Sequence, residues 1–103
     1  MRILTLPLKR QWFEEIKAGV KREEYRERKA HWSKKLVGKD YDFIVLTLGY
    51  PHRDDHERRL VLPWQGYVEK TIIHPHFNNV PVDVYAIDVS GKPLQPDALA
   101  VSA

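Results

Sequence analysis

A run of charged residues between Gly19 and Lys29 holds the side chains of this chain that are best suited to chemistry. Lys21 lies near Glu24 and Arg26, and a lysine beside an acid can serve as a base or a nucleophile. A lysine and an arginine can equally bind one phosphate, with the glutamate orienting the arginine or accepting a hydrogen bond from a base or a ribose. A charged network that only fixes a helix to a sheet is the third interpretation.

The same run, residues 21–29, is predicted to form a short strand without an apolar face. Alternation along a strand places Arg22, Glu24, Arg26 and Arg28 on one face, and Lys21, Glu23, Tyr25 and Glu27 on the other. Burying charged groups costs roughly several kcal/mol each unless they are paired. We therefore expect this strand on a wet surface or beside a polar cleft, with Lys21, Glu24 and Arg26 converging on one solvent-connected pocket.

Positive charge is concentrated in the first third of the chain. Residues 9–39 contain eleven Lys or Arg against five Glu, whereas residues 40–103 contain five against nine acidic residues. This distribution predicts a basic patch for a polyanion or a phosphorylated ligand, although basic residues that merely solvate helix faces would give the same pattern. The chain has no cysteine, so disulfides, thiolate metal ligands and thiol nucleophiles are excluded.

The overall composition predicts one small globular domain. The chain has 103 residues, 43% of them hydrophobic and 30% charged, which is typical of a soluble protein. The first residues lack the apolar run of a secretory signal, and no stretch approaches the roughly 20 apolar residues of a membrane span. We expect a cytoplasmic protein without membrane contact.

Apolar periodicity predicts two helices among the first forty residues. The first covers residues 9–18, where Trp12, Phe13 and Ile16 form a stripe expected in the core. The second covers residues 31–37.

The remaining pattern predicts strands, which dominate the rest of the chain. They are expected at residues 2–6, 21–29, 42–48, 58–62, 67–74 and 82–89, with Pro7 ending the first of them. This order predicts an α+β domain: a small, mostly antiparallel barrel with two or three helices packed at one end. Residues 1–91 would form the domain, and residues 92–103, rich in Pro, Ala and Ser, a loose tail.

Gly19, Lys21, Glu24 and Arg26 together match the pattern G-x-K-x-x-E-x-R, which resembles the signature of the ASCH (activating signal cointegrator homology) family. The preceding Leu-Pro-Leu and the helix pattern after it are also similar, and the likeness extends over residues 3–89. This resemblance implies a barrel related to the PUA fold, with the signature in a cleft between barrel and helices. Members of the family are proposed to bind RNA or nucleotides, and some branches are amidohydrolases on acetylated cytidine or ribonucleases.

RNA, or a nucleotide or nucleoside, is therefore the expected partner, with no cofactor and no metal. The expected ligand-binding residues are Lys9, Lys21, Glu24, Arg26 and Tyr50. If the protein is an enzyme, Lys21 and Glu24 would be catalytic. The acetylcytidine amidohydrolase branch carries Thr at the position of Glu24 and uses a downstream Glu, for which Glu69 is the candidate here.

Three other features are open to two interpretations each. His74 and His76 could share a face and bind a metal, or be ordinary loop residues. Residues 50–59 could form a flap over a cleft or a solvated hairpin. Trp64 and Tyr67 could stack on a base. The functional classes left open are a binding module, a small hydrolase in the same cleft, and a protein-interaction domain with an exposed apolar patch.

Overall fold

The computed structural model describes residues 1–94 of the chain. This part contains two short helices, α1 (Arg10–Lys17) and α2 (Ala30–Leu36). Its strands are β1 (Ile3–Leu8), β2 (Glu23–Glu27), β3 (Phe43–Leu48), β4 (Arg59–Pro63), β5 (Tyr67–Ile73) and β6 (Pro81–Asp88). Single turns of 3₁₀ helix precede β4 at His56–Arg58 and β6 at Pro75–Phe77.

The first sheet has the strand order β1-β3-β4. β3 lies in the middle, pairing in parallel with β1 and antiparallel with β4, and its apolar run suits a strand buried on both faces. Along β1 alternate residues are buried: Leu4, Leu6 and Leu8. This alternation points one face of the sheet into the core.

The sequence had predicted that Pro7 ends the first strand, and the structure shows that it does not. It pairs with Thr47, and β1 continues to Leu8. The reason is the position of β1 at the edge of its sheet, where an outward-facing backbone nitrogen needs no hydrogen to donate. The extra residues carry β1 to the start of α1.

The second sheet has the order β2-β6-β5, and both of its pairings are antiparallel. β6 is central and buries its middle residues, whereas β5 is an edge strand and largely exposed. The predicted charged strand is present but is shorter than residues 21–29. Its start is delayed because the Lys21 backbone N–H donates to the carbonyl of Glu15 (3.1 Å), which makes Lys21 part of the turn after α1.

Both sheets and both helices contribute to one hydrophobic core. Leu6, Leu46 and Leu62 come from the first sheet and Ile87 from the second. Phe13 and Ile16 fix α1 to this cluster, and Leu36 fixes α2. Trp12 is only partly buried beside it, so the predicted apolar stripe lies in the core in two of its three positions.

The predicted α+β class is confirmed. Three of the four strand pairings are antiparallel. Within residues 1–94 the strands form two separate three-stranded sheets, and no hydrogen-bonded ladder joins one to the other. A closed barrel therefore stays a prediction.

The chain remains attached to the domain beyond residue 91, where the predicted tail begins. Leu94 forms a bridge with Val61, its backbone N–H donating to the Val61 carbonyl at 2.8 Å. The rest of the predicted tail lies outside the described residues. Across residues 1–94 neither helix has the length and apolar character needed to cross a bilayer.

Candidate functional site

A glycine turn after α1 places Lys21. The backbone N–H of Gly19 donates to the carbonyl of Ile16 (3.0 Å), and that of Val20 donates to the carbonyl of Glu15 (2.9 Å). This pair of bonds is the Schellman arrangement, which requires a left-handed residue at its centre, and Gly19 has φ +78°. Glycine adopts this conformation without steric cost, so the chain reverses tightly and Lys21 follows at once.

Lys21, Glu24 and Arg26 form one ion network. Lys21 Nζ lies 3.5 Å from Glu24 Oε1, and Arg26 Nη1 lies 3.0 Å from Glu24 Oε2. The Glu24 side chain is only 6% exposed, and those of Lys21 and Arg26 are 13% and 19% exposed. A carboxylate this deeply buried would be costly if it were alone, and here each oxygen has a cation beside it.

Further hydrogen bonds fix the two ends of this network. Glu24 Oε1 also accepts the backbone N–H of Tyr25 (3.2 Å). Arg26 Nη1 donates to the Tyr25 carbonyl (2.9 Å), and Arg26 Nη2 approaches the Pro7 carbonyl at 3.5 Å. The guanidinium is thus held between β1 and β2, with its plane set by three acceptors.

Aromatic rings flank both cations. Lys21 Nζ lies 5.1 Å from the ring centre of Trp12 and 4.8 Å from that of Tyr25. Arg26 Cζ lies 5.2 Å from the ring centre of Trp32. These distances are within the range of cation–π attraction, which partly replaces the water that burial removes from the cations.

The network opens on a cavity of about 530 Å³ between the two helices, β2 and the turn before β6. Its lining comprises Pro7, Leu8 and Lys9; Trp12 of α1; Lys21; Glu24, Tyr25, Arg26 and Glu27 of β2; Lys29, His31 and Trp32; and His74, His76 and Phe77. Four of the five residues predicted to bind a ligand are in this set. They are Lys9, Lys21, Glu24 and Arg26.

The fifth predicted residue, Tyr50, is not brought to the cavity. It follows β3, is 93% exposed and is not part of the lining. The loop after it is held by Arg59, whose Nη2 donates to the carbonyls of Pro51 and His52 (3.1 Å each). Residues 50–59 therefore do not cover the cavity in this structure.

Glu69 also lies outside the cavity lining. Its carboxylate pairs with Arg28 (3.3 Å) and is 57% exposed. Trp64 and Tyr67 are used in packing, with ring centres 5.2 Å from Tyr41 and 5.1 Å from Tyr85, respectively. They too lie away from the lining.

His74 and His76 share a face, which is a wall of the cavity. Both rings meet Trp12 edge-on, with ring centres 5.9 and 6.2 Å away. His74 Nδ1 accepts the backbone N–H of His76 (3.0 Å), which ties the two together. Among residues 1–94 there is no cluster of three His, Asp or Glu side chains placed to hold a metal ion.

Trp32 and Phe77 complete the aromatic lining, and neither was predicted from the sequence to lie at the site. In α2, Leu36 is the fully buried residue, whereas Trp32 is only partly buried against the core. An aromatic residue on a short, basic helix was the available signal for Trp32. Phe77 had none, because it is placed by the 3₁₀ turn before β6.

A second set of polar contacts adjoins the network at the Tyr25 hydroxyl. The Tyr25 hydroxyl donates to Glu23 (3.2 Å), which also pairs with Lys70 (2.8 Å). Burial, together with the adjacent Glu23 carboxylate, raises the pKa of Tyr25 above its ordinary value. The hydroxyl therefore stays protonated at neutral pH, and Tyr25 presents a neutral ring to Lys21.

No protein-family model, no curated protein and no solved structure matches this chain. The resemblance at Gly19, Lys21, Glu24 and Arg26 stays a prediction. The function must therefore be argued from the chemistry of the cavity.

Proposed function

We propose that the protein binds RNA or a nucleotide in the cavity beside Lys21, Glu24 and Arg26. One observation carries this proposal: two cations are held on a single buried carboxylate, and both face a space lined by aromatic rings. A nucleotide combines a flat ring with hydrogen-bond acceptors and an anionic phosphate. Aromatic walls suit the ring, and lysine and arginine suit the acceptors and the phosphate.

The size of the cavity supports a ligand of this class. Small-molecule sites are commonly about 300–1,000 Å³ and mostly apolar, with a few fixed polar groups. This cavity, at about 530 Å³, lies in that range. Lys9 and Lys29, which are both exposed, also line it and are additional cations for a phosphate.

The ASCH assignment and a PUA-like barrel belong to the same proposal. Three of the signature side chains line one cavity and the fourth residue, Gly19, makes the turn that places them, which is the arrangement the resemblance implies. A cytoplasmic location is part of the proposal as well, since RNA and nucleotides are available there.

A binding titration with single-stranded RNA tests this function. We expect affinity to fall with salt, with a logarithmic slope of about −0.7 per phosphate contacted. Lys21→Ala and Arg26→Ala should each weaken binding. Lys39→Ala is the matched control, because Lys39 belongs to the same basic third of the chain but is exposed and lies outside the cavity lining. Salt-independent binding, or equal losses in all three variants, contradicts the proposal.

Hydrolysis in the same cavity is the second candidate. It is favoured by the position of Lys21, which is mostly buried beside an acid and next to space for a small ligand. In this alternative Lys21 and Glu24 act on an amide of a modified nucleoside or on an RNA phosphodiester. The position of Glu69 outside the lining argues against the amide reaction of the acetylcytidine branch.

Lys21→Arg separates the two candidates. Arginine keeps the positive charge but cannot give up a proton near neutral pH. A hydrolase that uses Lys21 as a base or nucleophile should lose turnover in this variant and retain most of its binding. Full turnover in Lys21→Arg would exclude Lys21 from acid, base or nucleophile chemistry.

A further inference from the structure

We infer that the cavity recognises a single nucleobase by an edge that carries two neighbouring hydrogen-bond acceptors. Among the common bases these edges are O6 and N7 of guanine and O2 and N3 of cytosine. The inference rests on the proposed function, because it specifies the ligand of the same cavity. It follows from which polar atoms of the lining are already used and which are free.

The carboxylates of the lining are already paired. Both oxygens of Glu24 have a cation beside them, Lys21 at 3.5 Å and Arg26 at 3.0 Å. Glu27 Oε2 lies 2.9 Å from Lys29 Nζ. An amino group of an incoming base would therefore meet carboxylates that each already share their charge with a cation.

The donors of the lining are only partly used. Within residues 1–94 the hydrogen bonds and ion pair of Arg26 involve Nη1 twice and Nη2 once, the latter at 3.5 Å, which leaves Nε and one Nη2 hydrogen. Lys21 carries three hydrogens and has one charged partner, Glu24, in the described part of the chain.

The unused donors of Lys21 and Arg26 are not fully buried. In the described part of the chain, the one buried side-chain polar atom without a partner is Nε of Arg59. Arg26 Nε, which has no partner there, is therefore not fully buried, the Lys21 side chain is 13% exposed, and both residues line the cavity. Its polar surface offers donors to a ligand.

Each donor also has an indole beside it. Trp12 lies 5.1 Å from Lys21 Nζ, and Trp32 lies 5.2 Å from Arg26 Cζ. A ring whose edge is bound by these donors is thus close to an indole ring. Stacking on an indole tolerates every base, so the choice among bases has to come from the donors.

The four bases differ in what they present to such donors. Adenine places its amino group next to N1 and next to N7, and uracil separates its two carbonyls by an N–H. Either base would direct a donor at a cation. The arginine fork, in contrast, matches two neighbouring acceptors, and one good bidentate contact discriminates by about tenfold or more.

Calorimetric titration of the full chain with GMP, CMP, AMP and UMP at one salt concentration tests the inference. We expect GMP or CMP to bind about tenfold more tightly than AMP and UMP. The preferred ligand should lose this advantage when an acceptor is replaced by carbon, as in 7-deaza-GMP or 3-deaza-CMP. Equal affinities, or a preference for AMP or UMP, overturn the inference and leave the proposed function standing. If none of the four binds, the inference also fails, and the RNA titration above decides the proposed function separately.

Arg26→Gln tests the fork directly. A glutamine amide combines an acceptor with donors and matches adenine, so the preference should shift toward AMP by about tenfold. Arg28→Gln is the matched control, because Arg28 pairs with Glu69 and Asp83 outside the cavity, and its preference should equal that of the unchanged protein. An unchanged preference in Arg26→Gln overturns the role of the fork. If this variant does not fold, the deaza nucleotides decide the matter on the unsubstituted chain.

Discussion

Two ion networks lie around β2, and they differ in how deeply their side chains are buried. In the cavity network, Lys21, Glu24 and Arg26 are between 6% and 19% exposed and have aromatic neighbours. In the surface network, Arg28 joins Glu69 of β5 and Asp83 of β6, and these side chains are between 32% and 58% exposed. Neighbouring stretches of one charged run thus meet very different costs of burial.

The difference indicates what each network is for. Exposed ion pairs contribute about 0–1 kcal/mol. The surface network lies at the exposed end of the sheet face that also carries Tyr85, where it costs almost nothing. A buried network loses hydration that its mutual attraction barely restores, and apolar residues of similar volume often serve stability as well or better. The cavity network is therefore poorly explained by stability alone, which agrees with a role in binding.

Removing the central carboxylate should have the largest effect. Glu24→Ala leaves Lys21 and Arg26 mostly buried without their shared counter-ion, and we expect a loss of about 3–5 kcal/mol in the free energy of unfolding. Glu69→Ala in the surface network should change it by about 0.5 kcal/mol or less. Urea denaturation of both variants gives the comparison. Similar losses in the two would show that burial does not distinguish the networks.

Much of this architecture could be predicted from the sequence, and the limits have physical causes. The turn at Gly19 and the alternation in β1 are local, so their residues define them directly. The depth of Glu24 is not local. Its two cations contact Trp12 of α1, Trp32 of α2 and the Pro7 carbonyl of β1, which are distant in sequence. Period-two alternation alone left a wet surface equally possible. For the same reason Trp12 was assigned to the core, since a stripe on a helix shows which face turns inward but not where the core ends.

The positions of His74 and Tyr50 show a second limit of prediction from the sequence. His74 reaches the cavity because a 3₁₀ turn reverses the chain between β5 and β6 beside α1, a contact between distant parts of the sequence. Tyr50 was expected at the site from the family resemblance, yet in this chain it lies on an exposed loop. The structure therefore brings the residues of one short motif together, whereas Tyr50, whose position depends on the path of a loop, lies away from them.

Trp12 in the cavity and Trp64 outside it give a second, smaller contrast. Trp12→Leu keeps apolar volume but removes the ring beside Lys21, so ligand affinity should fall by about 1–3 kcal/mol. Trp64→Leu is the matched control, because Trp64 is also partly buried but packs on Tyr41 away from the cavity. It should lose stability and keep its affinity for RNA or nucleotide. Titrations of both variants at one salt concentration decide this, and equal affinities would remove Trp12 from the binding site.

The smallest expected effect is the pH dependence of the surface network. Hydrogen bonds from Thr71 (2.6 Å) and Arg28 hold the pKa of Asp83 below its ordinary value. Because this pKa is lower in the folded than in the unfolded chain, the stabilisation is complete above the unfolded value of about 3.9 and is lost as pH falls through the folded value. Asp83→Asn should therefore be slightly less stable than the unchanged protein at pH 6, and the difference should shrink as pH falls below about 4. Urea denaturation between these conditions measures it, with Asp40→Asn on the exposed turn before β3 as the control. A constant difference across this range would mean that Asp83 acts through packing, so that the surface network contributes no pH-dependent stability at this position.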